Sequence, residues 1–323
     1  MISAYLNEQD RLLSTRGDPA QLDGVVWIDL MEPTPDEESA LEKALGIAIP
    51  TREEMDEIEV SSRLYTEDGA VFMTATLPSR TETEHPIISP VTFVLTQHRL
   101  VTIRYSEPRA FRTMPTRASK VALGCQDGEG VLLALLEAQI DRMADILERA
   151  GRDIAALSAM VFRNRGRRNR REANLQTILE QIGAQGDLNS NVRECLMSLD
   201  RVLGYLSQAI QPLRQEKEVR NRIKTMSRDL HSLVDHTDSL TQKATFLLDA
   251  TLGLINIEQN GIIKFFSVAA VVFLPPTLIA SIYGMNFQFM PELHWPVGYP
   301  LAILLMVISA VLPYLLFKRR GWL

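Results

Sequence analysis

The chain has 323 residues, of which 46% are hydrophobic, and a formal net charge of −6 at pH 7. This length allows two domains, and the composition is ordinary for a globular protein with a small membrane part. The negative net charge gives no general reason to expect nucleic acid as a partner. Cys125 and Cys195 lack the spacing of a metal site, so we interpret both as ordinary side chains in a reducing cytoplasm.

Residues 1–125 are predicted to form a cytoplasmic α/β domain. Short runs rich in β-branched and aromatic residues predict strands at 25–30, 70–76, 91–95 and 100–105. Helix starts are predicted at Thr34 and Thr51, because each threonine is followed three residues later by a glutamate, the pattern of a capping box. The order of these signals indicates a mixed α/β domain.

The same domain carries an acidic excess, with eleven carboxylates against three basic side chains between residues 36 and 68. Such a charge run is usually a solvated face. The alternative is low-affinity binding of hard divalent cations, which prefer carboxylate oxygen. The sequence leaves both interpretations open.

Residues 126–261 are predicted to form a helical bundle and a long stalk helix. Small and apolar residues alternate at spacings of three and four, which is typical of packed long helices; they are Leu230, Leu233, Thr237, Leu240, Ala244, Leu247, Thr251 and Leu254. No proline interrupts residues 217–274. We therefore expect one helix to run from the cytoplasm into the membrane and to transmit movement to it.

A basic run at 163–171 contains six arginines in nine residues. Arginines at this density could neutralise phosphates. No aromatic side chain is interleaved to stack bases, so we expect no nucleic-acid partner. A solvated turn is favoured, and contact with anionic lipid or an acidic surface is the next alternative.

Residues 262–323 are predicted to form a two-helix transmembrane hairpin with a basic tail. The apolar segments 262–282 and 299–317 are each long enough to cross a bilayer core of about 30 Å as helices rising about 1.5 Å per residue. The connector 283–298 contains two glycines and two prolines and reads as a loop. The bilayer is therefore an expected partner.

The charges flanking the hairpin predict its orientation. Lys318, Arg319 and Arg320 follow the second segment, whereas the connecting loop carries Glu292 and His294 but no lysine or arginine. By the positive-inside rule the loop faces outward, and both chain termini lie in the cytoplasm. We expect a multi-pass protein of the cytoplasmic (inner) membrane.

The most specific pattern in the chain lies around this loop. It consists of Tyr283-Gly284-Met285-Asn286, Met290-Pro291-Glu292-Leu293, Trp295, Gly298-Tyr299-Pro300 and the terminal Lys-Arg-Arg-Gly-Trp-Leu. With these residues the chain resembles the CorA family of magnesium and cobalt channels, loosely over its whole length. The resemblance implies a homopentamer in which the first span lines a pore and the second faces lipid.

The resemblance also implies the residues of the ion pathway. Gly284, Met285 and Asn286 would form the outer selectivity site, where a ring of Asn286 amides meets a hydrated ion. The pore-facing positions implied along the first span are Asn260, Phe266, Leu274 and Thr277. Glu292 would belong to the outer loop.

In the family, cytoplasmic Mg²⁺ closes the channel, so Mg²⁺ is expected both as transported and as regulatory ion. The candidate regulatory carboxylates are Glu82, Glu84, Asp229, Asp235 and Asp238. Standard catalytic motifs are missing, and we expect neither an enzyme nor an organic cofactor. Divalent cations are the expected ligands, with Co²⁺ and Ni²⁺ beside Mg²⁺. The alternatives are a zinc transporter of the related ZntB type and a membrane-anchored cation sensor that does not conduct.

Overall fold

The computed structural model describes residues 1–16, 22–81, 86–163, 171–210, 217–286, 290–291 and 295–320. Its strands are β1 (Ile2–Glu8), β2 (Arg11–Arg16), β3 (Val25–Met31), β4 (Leu64–Glu67), β5 (Ala70–Ser79), β6 (Ile87–Leu95) and β7 (Leu100–Arg104). Its helices are α1 (Pro35–Leu45), α2 (Arg52–Met55), α3 (Val60–Arg63), α4 (Arg109–Ala118), α5 (Gly128–Arg163), α6 (Arg171–Ile210), α7 (Lys217–Tyr283) and α8 (Gly298–Arg319). The predicted strands at 25–30, 70–76, 91–95 and 100–105 correspond to β3, β5, β6 and β7.

The strands form one mixed seven-stranded sheet in the order β2-β1-β3-β7-β6-β5-β4. Every neighbouring pair is antiparallel except β3 and β7, which run parallel with Trp27 opposite Leu100. β5 and β7 are both fully buried along their length, which explains why they read as continuous apolar or β-branched runs. The sheet lies at the centre of the α/β domain.

Both predicted capping boxes are present. The Thr34 hydroxyl accepts the Glu37 amide at 3.3 Å and the Glu37 carboxylate accepts the Thr34 amide at 2.9 Å. Thr51 and Glu54 repeat the arrangement at the start of α2. α1 continues for 11 residues, whereas α2 ends after four. Each box satisfies amides that the first turn of a helix leaves without partners.

An ion pair lies inside the sheet. Arg104 donates from Nη2 to Asp29 Oδ2 at 2.8 Å and from Nε to Asp29 Oδ1 at 3.0 Å. Thr102 donates to the same Asp29 oxygen at 2.7 Å, and Trp27 Nε1 donates to the Thr102 hydroxyl at 3.0 Å. Because Asp29 and Arg104 are both buried, these contacts compensate two charges removed from water.

The region predicted to be helical contains α5, α6 and α7. Among the residues spaced by three and four on α7, Leu230, Thr237, Leu240, Ala244, Leu247 and Thr251 are buried, while Leu233 and Leu254 are half-buried. Asn189 of α6 donates to the Thr237 carbonyl at 2.8 Å and to the Thr241 hydroxyl at 2.7 Å. This buried polar contact fixes the register of α6 against α7.

The chain divides into two compact units. The first comprises Met1–Arg168 with Gln176–Leu248, and the second comprises Asn169–Leu175 with Asp249–Leu323. α7 begins in the first unit and ends in the second as one uninterrupted helix. α7 and α8 each contain a segment long and apolar enough to cross a membrane, and almost none of either segment is buried.

Candidate functional site

The Gly284-Met285-Asn286 segment closes the C-terminal end of α7. The Gly284 amide donates to the Ala280 carbonyl at 2.9 Å, and the Met285 amide donates to the Ile282 carbonyl at 3.3 Å. Asn286 follows this turn with an exposed side chain. The last helical turn therefore positions the asparagine at the very end of the candidate first span.

Gly284 lies in a tight position of this turn. A Cβ atom placed on it would come within 3.2 Å of the Ala280 carbonyl oxygen and 3.7 Å of the Ser281 carbonyl oxygen. The first distance is shorter than most real Cβ contacts, so a larger residue would shift the turn.

The four pore-facing candidates lie on one side of α7. At about 100° per residue, Asn260, Phe266, Leu274 and Thr277 fall within a sector about 120° wide. All four are exposed, with Phe266 at 66% and Leu274 at 64%. The apolar stretch of α7 that could cross a membrane has none of its residues buried, unlike the usual surface of a soluble protein.

Two hydroxyls of the same helix are already oriented by their own backbone. Thr277 donates to the Leu274 carbonyl at 2.8 Å, and Ser267 donates to the Ile263 carbonyl at 2.8 Å. A hydroxyl has one proton, so each oxygen is left as an acceptor. Acceptors suit a hydrated cation, because its water molecules point their protons outward.

Pro275 and Pro276 lie inside α7, and the helix continues through them to Tyr283. Proline has no amide proton, so the carbonyls of Val271 and Val272 lose their usual helical donors. These carbonyls are further acceptors beside Leu274. A packing role for the proline pair remains an equal interpretation.

Among the described candidates for regulation, the structure does not bring Asp229, Asp235 and Asp238 into one group that could hold a metal ion. Asp238 accepts from Arg193 Nε at 2.9 Å, Asp229 lines a cavity between α4, α5 and α7, and Asp235 lines another between α6 and α7. Within the described parts of the chain, no three His, Cys, Asp or Glu side chains are grouped so that they could hold a metal ion. Glu82, Glu84 and Glu292 lie outside the described residues, as does most of the basic run at 163–171.

The cavity beside Asp229 contains carboxylates that the sequence did not single out. It encloses about 910 Å³ and is lined by Glu137 and Asp141 of α5. Burial raises the pKa of Asp141 while Arg117 opposes the shift, and Glu137, Asp145 and Asp229 raise it further. Arg222 bridges α7 to α5 through bonds of 2.8 and 2.9 Å to Glu137. The spacing of residues along the chain does not predict the contact between Arg222 and Glu137, because that contact depends on how α5 and α7 pack.

Some of the carboxylates between residues 36 and 68 accept hydrogen bonds from backbone amides of the fold. Glu37 and Glu54 close the two capping boxes, and Glu42 accepts the Ile49 amide at 2.9 Å. The hydrogen bond from the Thr34 backbone amide lowers the pKa of Glu37, and the N-terminal amine lowers it further. These contacts account for three of the carboxylates without a bound cation.

Comparison with known proteins gives the family. The model of the family described as CorA-like Mg²⁺ transporter protein matches residues 23–319. The chain belongs to the CorA family. The magnesium transport protein CorA of Haemophilus influenzae is 40% identical over 325 residues and covers 100% of both chains. The resemblance inferred from the Gly-Met-Asn segment is thus confirmed.

Solved structures show the same fold. The complete CorA magnesium transporter from Methanocaldococcus jannaschii matches with a TM-score of 0.77 and 22% identity, covering 100% of this chain and 99% of that one. The ZntB cytoplasmic domain from Vibrio parahaemolyticus matches with a TM-score of 0.56 and 8% identity, covering 79% of this chain and 97% of that one. The expected architecture of an α/β domain, a long helix and a C-terminal apolar helix is confirmed. Families of this kind are membrane transporters rather than enzymes.

Proposed function

We propose that this chain is a Mg²⁺ channel of the cytoplasmic membrane. One observation carries the proposal: Gly284, Met285 and Asn286 terminate a helix apolar enough to span a bilayer, in a chain that matches a magnesium transport protein from end to end. In this proposal residues 1–125 and 126–261 are the cytoplasmic parts and 262–323 the membrane part. Both chain termini lie on the cytoplasmic side.

Conduction requires several copies, since two spans per chain cannot enclose a pore. A homopentamer places α7 of each copy around the axis and α8 against lipid. The exposed apolar side chains of α8 support lipid contact, because they include Leu304, Leu312 and Leu315 at about half exposure. The tail basic residues then anchor the cytoplasmic interface.

Ion selection is assigned to a ring of Asn286 side chains at the outer mouth. Mg²⁺ gives up its water reluctantly, so neutral oxygen acceptors that bind its hydration shell admit the ion without trapping it. The turn through Gly284 and Met285 holds that ring. Glu292 is placed in the same outer loop, where its charge would attract cations.

Below the ring, Thr277 and Asn260 supply acceptors and Phe266 and Leu274 supply apolar constrictions. Narrow apolar rings stop ions by excluding water, and small helix tilts reopen them. The membrane potential drives entry with about 4.6 kcal/mol per divalent ion at 100 mV. Co²⁺ and Ni²⁺ carry the same charge and are further candidate ions.

Cytoplasmic Mg²⁺ is proposed as the closing signal, with no organic cofactor. The candidate ligands are Glu82, Glu84, Asp229, Asp235 and Asp238. Since Asp229, Asp235 and Asp238 do not converge within one chain, a regulatory site built from them needs carboxylates of a second copy. This dependence on assembly links regulation to the oligomer.

The proposal is tested by Mg²⁺ influx into liposomes that contain only this protein, under an inside-negative potential and with low internal Mg²⁺. We expect influx that Asn286→Ala abolishes and that millimolar internal Mg²⁺ suppresses. Ser309→Ala on α8 is the matched control, because its hydroxyl bonds to the Met306 carbonyl of its own helix. This variant is expected to conduct normally.

The same assay separates the alternatives. Zn²⁺ influx without Mg²⁺ influx would favour a zinc transporter of the ZntB type, whose cytoplasmic domain is similar to this chain in fold. Folded oligomers that conduct neither ion would favour a sensor that does not conduct. Normal Mg²⁺ influx through Asn286→Ala would remove Asn286 from the selectivity site.

A further inference from the structure

A cavity of about 680 Å³ lies in the first unit at one edge of the sheet. β3 and β7 are parallel, and β5 and β7 are both antiparallel to β6, so β3, β5 and β7 all end at this edge. The residues that follow these strands, including Glu32, Arg80 and Ser106, line the cavity. In sheets with parallel strands the carboxyl edge is the usual place for a bound ligand.

The charge of this cavity is opposite to that of the whole chain. Its described lining residues include three carboxylates, at Glu32, Asp56 and Glu107, and five arginines, at Arg52, Arg80, Arg109, Arg112 and Arg142. The chain as a whole has a net charge of −6. The cavity beside Asp229 is lined by equal numbers of basic and acidic side chains, and Arg109 and Arg142 line both cavities. The excess of arginine in the sheet-edge cavity therefore includes two side chains that it shares with the cavity beside Asp229.

The arginines reach the cavity from four separate parts of the fold. Arg52 belongs to α2, Arg80 follows β5, Arg109 and Arg112 belong to α4, and Arg142 belongs to α5. Convergence from distant segments differs from a basic run on one exposed helix face. The volume of the cavity lies in the range of small-molecule sites, about 300–1,000 Å³.

Two of these guanidinium groups are held in place by the protein. The Arg142 side chain is 9% exposed, and its Nη2 donates to the Thr81 hydroxyl at 2.6 Å. The Arg52 guanidinium lies 5.2 Å from the centre of the Tyr105 ring. Groups that are already oriented lose little freedom when a ligand binds.

Hydroxyls complete the lining. Ser79, Thr81, Ser89 and Ser106 face the same cavity, and the Ser89 and Ser106 hydroxyls are hydrogen-bonded to each other. Guanidinium forks match the oxygens of phosphate groups, which accept several charge-assisted hydrogen bonds. Two of the hydroxyl protons are already used, since Ser79 donates to the Ile87 carbonyl and one of the Ser89 and Ser106 hydroxyls donates to the other.

We propose that this cavity binds a small anion with two or three linked phosphates, at a cytoplasmic site separate from the ion pathway. A single phosphate would meet only part of an arginine set spread over about 680 Å³. Nucleoside triphosphates and inorganic polyphosphates share this chemistry. The Arg52–Tyr105 pair at the lining offers a surface on which a base could stack, which would distinguish the two.

Isothermal titration calorimetry of the full-length protein in detergent, with EDTA present and no added divalent cation, tests the site. ATP, inorganic tripolyphosphate and orthophosphate are titrated separately at constant ionic strength. Saturable binding of ATP or tripolyphosphate that is at least about tenfold tighter than that of orthophosphate is expected, since each further phosphate adds charged hydrogen bonds to further arginines. ATP binding tighter than tripolyphosphate identifies a nucleotide, and equal affinity identifies inorganic polyphosphate.

Arg52→Ala/Arg112→Ala is the test variant, because both side chains line the cavity and are exposed residues whose loss leaves the core intact. We expect its Kd to rise about tenfold or more. Arg201→Ala/Arg228→Ala removes the same charge from exposed positions outside the cavity and is expected to bind as the parent does. Arg112→Glu provides a second probe that leaves the Arg52–Tyr105 contact in place.

Two results would overturn the proposal. One is the absence of saturable binding of all three anions at millimolar concentration by oligomeric, folded protein. The other is equal weakening in the cavity variant and the matched control, which would show general attraction to surface charge. Neither result depends on whether the protein conducts Mg²⁺.

Discussion

The two units of the chain place their apolar side chains in opposite ways. In the first unit Trp27, Phe72 and Phe93 are almost completely buried, and each packs within the sheet domain. In the second unit Phe273 is 67% exposed and Leu304 is 55% exposed. The first unit therefore supplies its own apolar environment, whereas the second requires a bilayer or further copies of the chain to provide one.

The substitution with the largest expected effect on stability breaks the buried ion pair of the first unit. Asp29→Ala leaves Arg104 inside the sheet without its carboxylate, which is expected to cost about 3–5 kcal/mol. Hydrogen exchange of the β3 and β7 amides in the detergent-solubilised chain measures this loss peptide by peptide. Asp36→Ala, at an exposed position, is the control. Unchanged protection of β3 would show that the sheet does not depend on the pair.

A paired leucine substitution compares the two units directly. Leu30→Ala removes a completely buried side chain and is expected to cost about 2–5 kcal/mol. Leu304→Ala, on α8, removes a side chain that touches little of its own chain and is expected to change α8 protection by less than about 0.5 kcal/mol. Equal losses of hydrogen-exchange protection would contradict the contrast between the units.

The chain has two cysteines, Cys125 and Cys195, and both lie in the first unit. Their thiols therefore report on the first unit alone. Burial raises the pKa of Cys125 to about 11 and that of Cys195 to about 12, from an ordinary value of 9.0. The unfolded thiols ionise near pH 9 while the folded ones stay neutral. Their contribution to stability is therefore complete below pH 9 and is lost as pH rises toward 11 and 12.

We expect the melting temperature of the parent to fall relative to Cys195→Ala between pH 9 and 11, and the difference between them to be constant from pH 7 to 8.5. Circular dichroism measures both proteins in the same buffers. Maleimide at pH 8 is expected to label neither thiol until denaturant is added. Rapid labelling without denaturant would show that the first unit opens far more readily than its packing implies.

The smallest expected effect lies at the exposed start of α1. Thr34→Ala removes the hydroxyl that accepts the Glu37 amide and is expected to lower the stability of α1 by about 1 kcal/mol. Thr116→Ala is the matched control, because its hydroxyl donates to the Arg112 carbonyl within α4 and caps no helix. Faster exchange confined to the α1 amides would support the assignment, and equal effects of the two substitutions would contradict it.

Local patterns in the sequence predicted much of the first unit. The four predicted strands and both capping boxes are present. They could be predicted because a strand buried on both faces needs a run of apolar residues, and a helix start needs a capping side chain, within a few positions of the chain. β1, β2 and β4 were missed; β2 and β4 are the edge strands, and among their residues with described burial Leu12 alone is buried, so they carry no apolar run. The second capping box led to a helix of only four residues, with Met55 as its one buried side chain.

The helix that carries the candidate ion pathway was predictable to a similar degree. The Gly284–Asn286 segment and the apolar spans are contiguous in the chain, and the lack of proline in 217–274 predicted the unbroken part of α7 that the structure shows. Helical continuity through Pro275 and Pro276 was not predictable from that pattern. Asp229, Asp235 and Asp238 all lie on α7, and only the packing of α4, α5 and α6 against that helix shows that Asp229 and Asp235 line different cavities and that Asp238 meets Arg193.

The sequence by itself determined the family, the helical spans and the helix starts, because each depends on residues a few positions apart. The tertiary structure alone decided that Asp29 meets Arg104, that Glu137 meets Arg222, and that arginines from residue 52 to residue 142 line one cavity. These contacts join segments distant in the chain. Their partners are selected by burial in the folded core, which no periodicity along the sequence records.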